Sequence, residues 1–257
     1  MKPWVIVVGL VLAALVIAAI EFGWPWWQAR QLADEPAPVA QASDDPPASA
    51  TAPPAAIDPE PVPQAANLPA LDDSDAEVLA GLAAWSVPEH WLQQEQLLRR
   101  LASLIDNVAR RELPRSQLQF LAPVGRFSAS QDSGRLTMSA ASHRRFDAHL
   151  DALEAIAPAD AAQLFEFWSP RLDEAFRELG RPDADSVEIA LQAIDRVLGI
   201  SPPPQPAELV RPTVAYEYAD PELEALPALD KQLLRIGPDN LARLQRWLEE
   251  LRPLLQS

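Results

Sequence analysis

The sequence predicts a mainly α protein in three parts: an N-terminal transmembrane helix, a disordered Pro/Ala-rich linker, and a C-terminal multi-helix domain with a small β-hairpin. Three observations carry that expectation. Residues 4–20 form an uncharged apolar run bounded by tryptophans, the stretch from Asp34 to Pro69 has almost no large apolar side chain, and from Leu68 to Leu255 apolar residues recur at helical spacing. The boundaries that follow are 1–30 for the anchor, 31–69 for the linker and 70–257 for the domain.

The anchor is justified by length. Seventeen residues from Trp4 to Ile20 would rise roughly 26 Å as a helix, and continuing to Phe22 approaches the bilayer's hydrocarbon thickness of about 30 Å. Trp4 at one end and Trp24, Trp26 and Trp27 at the other suit headgroup depth. The amino terminus and Lys2 precede the run, while Glu21, Arg30, Asp34 and Glu35 follow it, a weak positive-inside bias for a cytoplasmic N-terminus and a periplasmic domain. A cleaved signal is the competing reading, but Ile17 occupies the minus-three position of a cut after Ala19 and there is no A-x-A triplet. The expected address is the bacterial inner membrane, spanned once through residues 4–22.

The linker holds ten prolines between Asp34 and Pro69, which favour polyproline II and make a semi-rigid spacer. Composition then narrows the function classes. A formal charge of −16 opposes general affinity for nucleic acid or anionic lipid. The absence of cysteine excludes disulfides, thiolate metal sites and a thiol nucleophile.

Within the domain, the acid cluster Asp72, Asp73, Ser74, Asp75 predicts the first helix, with Val78, Leu79 and Leu82 on its apolar face and its end near Trp85. Ser86, Pro88 and Glu89 read as a capping box opening the longest helix, roughly 25 residues, which Pro114 stops. Trp91, Leu98, Leu101, Leu104, Ile105 and Val108 give it a continuous apolar face. Weak alternation around Gln131-Asp132-Ser133-Gly134 predicts the hairpin. Three helices follow: one capped by Ser142 and running through Ile156, one from Pro158 to Leu179 closed by Gly180 and kinked or broken at Pro170, and one from about Asp183 to Leu198 closed by Gly199. Alternating Val and Tyr in ELVRPTVAYEYAD predict a short extended segment, and two last helices, 221–236 and 238–251, meet at Gly237-Pro238.

No nucleotide or hydrolase fingerprint is present, so no catalytic residue and no cofactor is assigned. His143, Asp147, His149 and Asp151 are the nearest approach to a metal cluster, but the histidines are six apart and the residues fit a solvated helix surface, so no metal is assigned either. Charge is segregated instead. Residues 99–146 carry nine arginines against three acids, a net +6 in an otherwise acidic domain. Such an island either neutralises the domain's own acidic helices or grips an acidic partner through forked guanidinium contacts. The candidate partner-docking residues are Arg110, Arg111, Arg115 and Arg126; Asp106, Asn107, Tyr216, Tyr218 and Asp220 are secondary candidates. Asp106-Asn107, inside the long helix, reads as a structural polar clasp. LLRIGPDNLARL resembles half of a helix-hairpin-helix but lacks its earlier glycine, and Gly237 as helix cap with Pro238 as first helical residue accounts for it without DNA.

The phrases LPALDDSD, LIDNVARRELP, RFDAHL, ELGRPD, ELVRPTVAYEYADPELEAL and LLRIGPDNLARL, in that order over residues 68–252, resemble a bacterial single-pass membrane family known only as domain of unknown function 3014. The resemblance implies the same layout of anchor, Pro/Ala-rich linker and C-terminal domain. A glycine often stands in that family near the ARRELP step, where this chain has Arg111. It supplies no catalytic or binding residue. The function expected is that of a non-catalytic envelope adaptor or scaffold with an envelope protein as partner. The alternative is an envelope enzyme or glycan-binding domain using carboxylates such as Asp106 or Glu217 in a cleft.

Overall fold

The computed structural model describes residues 68–82, 94–113, 122–213 and 215–256. The expected anchor over 4–22, the linker up to residue 67, Trp85, the capping box over 86–89, Trp91 and Arg115 lie outside them. Among the described residues no helix is long and apolar enough to cross a membrane.

A 3-10 turn, Leu71–Asp73, leads into α1 (Asp75–Leu82), whose Val78 is fully buried. Asp75 also fixes where the next helix begins. Its carboxylate accepts the backbone N–H groups of Gln96 and Leu97 at 2.6 and 2.9 Å, satisfying amides that a helix start leaves unpaired. Gln96 has φ +58, and α2 runs only from Leu97 to Ala109. The expected helix of roughly 25 residues is therefore corrected: the cap comes from a side chain 21 residues away, not from the local box. Among the described residues the longest helix is α5 (Pro158–Glu178), 21 residues.

Helix α5 also departs from expectation at Pro170, where it continues without a break. Proline has no N–H for the carbonyl of Glu166, and the Ser169 hydroxyl donates to that carbonyl instead, at 2.9 Å. Apolar residues on both sides of Pro170, among them Phe165, Trp168, Leu172 and Phe176, hold the helix in place. They pack against α2, against α6 (Ser186–Leu198), capped by the Asp185 side chain, and against α9 (Pro238–Leu254). Small residues on α6, Ala190 and Ala193, let α2 approach closely. Two side chains lock α9: Trp247 Nε1 donates to the Ile156 carbonyl at 2.9 Å, and Gln245 Nε2 donates to those of Val197 and Ile200.

Beside this helical layer lies a short antiparallel one. Strands β1 (Ala129–Asp132) and β2 (Arg135–Met138) form the expected hairpin, with Ser133 and Gly134 at φ +50 and +85 in a two-residue turn of the primed kind. Strands β3 (Leu209–Val210) and β4 (Glu217–Tyr218) make a second pair, and a bridge from Thr137 to Glu208 joins the two. The helix expected from Ser142 to Ile156 is two, α3 (Ala140–Arg144) and α4 (Asp147–Glu154). Its cap is Ser139. Ser142 is buried and clasps the hairpin base: its hydroxyl accepts from Ser128 N at 2.7 Å and donates to Ser128 O at 2.8 Å. The segment expected as one helix from 221 to 236 is also two, α7 (Pro221–Glu224) and α8 (Ala228–Arg235). Pro227 separates them, because it has no donor and biases Leu226 away from helix. The C-cap of α8 is Ile236, which leaves Gly237 as the cap of α9.

Two helices end in the same six-residue motif on different residues. After α5, Gly180 takes φ +82, with Gly180 N bonded to Arg177 O and Arg181 N to Phe176 O. After α2 the equivalent bonds run from Arg111 N to Val108 O and Glu112 N to Asn107 O, but the left-handed position, φ +61, is held by Arg111. A side chain there is strained relative to glycine. Arg111→Gly is therefore expected to be more stable than Arg111→Ala by about 1 kcal/mol in urea unfolding, since both lose the guanidinium and differ in the cost of positive φ.

Candidate functional site

The arginine island divides into two groups. At the C-terminal end of α2, Arg110 pairs with Asp106 at 2.7 Å and approaches Glu112 at 3.6 Å, and Arg181 reaches Asp106 from beyond α5. Asp106 is thus buried between two guanidinium groups, and Asn107 donates to the Ser103 carbonyl at 2.6 Å. Arg111 faces Asp230 at 3.5 Å. Burial pushes the Asp230 carboxyl up, against the pull of Arg111 and Arg196. Arg99, at the other end of α2, is shared by Glu178 and Asp72. These arginines hold the domain's own acids.

Arg126 belongs to a different surface. It precedes β1 and is exposed, with no carboxylate partner among the described residues. Its neighbour Phe127 meets the ring of Tyr216 at 5.0 Å between centroids. The guanidinium of Arg211 lies over the other partner of that pair, 5.2 Å from the Tyr216 centroid. Strand register explains the meeting. Leu209 opposes Tyr218 and Val210 opposes Glu217, so Arg211 and Tyr216 are the next opposed pair past the strand ends. Arg211 also has no carboxylate partner among the described residues. Arg145 closes in from α3, its Cγ and Cδ 4.0 Å from where a side chain on Gly125 would begin. Val124 is 86% exposed and Val210 41%, both against the usual preference of aliphatic side chains.

Thus Arg126, next to Phe127 in the chain, and Tyr216, which sequence placed in separate candidate groups, belong to adjoining segments, whereas Arg110 and Arg111 are at another place in the fold. Tyr218 turns inward, buried beneath Arg235 at 5.3 Å from its ring. Asp220 caps α7 through the Glu222 amide at 2.9 Å. Phe127, Val124 and Arg211 went unnoticed in the sequence; only the pairing of 209–210 with 217–218 brings them together.

Tyr218 forms one wall of a cleft of about 250 Å³. The other walls are the prolines of residues 202–206 with Met138, Leu209, Leu234 and His143. No aspartate or glutamate lines it. Burial pushes the Tyr218 phenol up, so it stays protonated. His143 is pushed down by burial, partly offset by the charge of Asp239. Its ring rests on Gly237, where φ is +94 and an added Cβ would stand 2.6 Å from His143 Cγ. The other residues of the histidine-aspartate group have separate partners: Asp147 accepts from Asn240 at 3.1 Å and Asp151 pairs with Arg243 at 2.7 Å. Among the described residues no three metal-ligating side chains converge.

The His143 shift has a definite sign in stability. A histidine whose folded pKa lies below its unfolded value of about 6.5 costs nothing above that pH, and stability is lost as pH falls from there through the folded pKa. His143→Gln should remove this loss. Urea midpoints of wild type and variant should run parallel above pH 7 and diverge below about 6.5, with the wild type falling faster.

No curated protein and no solved structure matches the chain. One family model does, over residues 97–252, which takes in α2 through most of α9 and both strand pairs. The chain therefore belongs to the family described as protein of unknown function (DUF3014).

Proposed function

We propose that this is a single-pass inner-membrane protein that displays its helical domain in the periplasm on a Pro/Ala-rich tether and works as a non-catalytic envelope adaptor. The observation that carries the reading is the stack of the exposed Arg211 on the half-buried rings of Tyr216 and Phe127, with the exposed Val124 and Arg126 just before Phe127 in the chain. Tyrosine and arginine dominate the energetics of protein interfaces because a large rigid ring and a forked cation lose little freedom on docking. Exposed guanidinium groups with no internal carboxylate are matched by an acidic partner surface. The cleft favours binding over hydrolysis in the same way, since paired carboxylates with raised pKa would be expected of an acid-base enzyme and its walls carry none. The membrane address is supported by the Trp-flanked apolar run over 4–22 and the charge asymmetry around it.

The test is crosslinking in cells with wild type and an Arg126→Glu/Arg211→Glu variant. Both side chains are exposed, so the fold should be retained, which circular dichroism checks. The variant should lose partner crosslinks at least tenfold, and an unchanged set would refute docking through this face. Membrane fractionation of a chain carrying a periplasm-active reporter after Ser257 tests the address; full-length product in the soluble periplasmic fraction would overturn the anchor.

A further inference from the structure

Resting on the docking face proposed above, we infer that its first occupant is the protein's own acidic segment, residues 34–60, and that an outside partner binds by displacing it. Charge complementarity is the main argument. Residues 34–60 contain Asp34, Glu35, Asp44, Asp45, Asp58 and Glu60, and neither lysine nor arginine occurs between Arg30 and Arg99. The described domain presents Arg126 and Arg211, both exposed and with no carboxylate partner among the described residues. The second argument is composition. Prolines flank most of these acids, at positions 36, 46, 47, 59 and 61, and proline rings pack at low ordering cost on aromatic side chains such as the half-buried Tyr216 and Phe127.

Reach and concentration both permit the contact. The 34 positions from Asp34 to Leu68, where the described domain begins, would reach at most roughly 100 Å at about 3.1 Å per residue, against a half-circumference of roughly 65 Å for a domain of this size. A segment so tethered is present at about millimolar effective concentration. Individual surface ion pairs are weak, but several acting together with proline-aromatic contacts need only millimolar affinity to keep the face occupied. The occupancy sets a threshold: a partner must exceed the tether in charge or contact area to displace it.

The experiment places a photo-crosslinking benzoylphenylalanine at position 124 of the full chain. Val124 is 86% exposed, so the fold tolerates the change. After irradiation and digestion, crosslinked peptides are read by mass spectrometry in isotope-labelled and unlabelled chains mixed together. The expected result is a crosslink to residues 34–60 within one chain, of uniform label, that falls at least tenfold when the six acids are changed to Asn or Gln. Mixed-label crosslinks, crosslinks elsewhere in the chain, or a yield unaffected by neutralising the acids would overturn self-occupation. Crosslinks only to other proteins would also overturn it while leaving the docking face standing. No crosslink of any kind would remove both.

Discussion

The buried side of α5 is the constraint on which the other elements depend. Its Phe165, Trp168, Leu172 and Phe176 are shared by α2, α6 and α9, so one wall serves three helices, of which α2 and α6 also pack closely on each other. Keeping that wall continuous requires the helix to pass Pro170, and the Ser169 hydroxyl answers the one carbonyl the proline leaves without a donor. The end of α5 matters as much as its middle. The turn at Gly180 delivers Arg181 to Asp106, which fastens the far end of α2 to the same core.

The strand layer is attached differently, and the difference bears on function. Few of its residues enter the core; the hairpin hangs on the Ser128–Ser142 clasp and the Thr137–Glu208 bridge. A layer that contributes little to the core is free to carry side chains chosen for other purposes. That is where exposed valines and the arginine-aromatic stack occur, while the arginines on the helical core are engaged with its acids.

Much of the fold was legible where a signal is local. Pro158 begins a helix and Gly180 ends it, Asp185 lies where a cap is needed, and Ser133-Gly134 makes the turn that a two-residue hairpin requires. One failure was local, the break that Pro227 makes between α7 and α8, and others were long-range or competitive. Asp75 caps α2 across more than twenty residues, which no local pattern encodes. Ser139 and Ser142 are equally good caps by sequence, and the choice is made by Ser128, which takes the second hydroxyl for the hairpin. The candidate site was legible only in fragments. Arg126 and Tyr216 stood out for charge and ring, but Phe127 and Arg211 acquire meaning only when the register of β3 on β4 is known.

Arg111 ties backbone to charge. Its left-handed conformation is one glycine would hold with less strain, yet its guanidinium pairs with the buried carboxylate of Asp230. Glycine at this step would ease the turn and leave the acid to the pull of Arg196 alone, so the shape of one turn and the charge state of an acid 119 positions further along answer to the same residue.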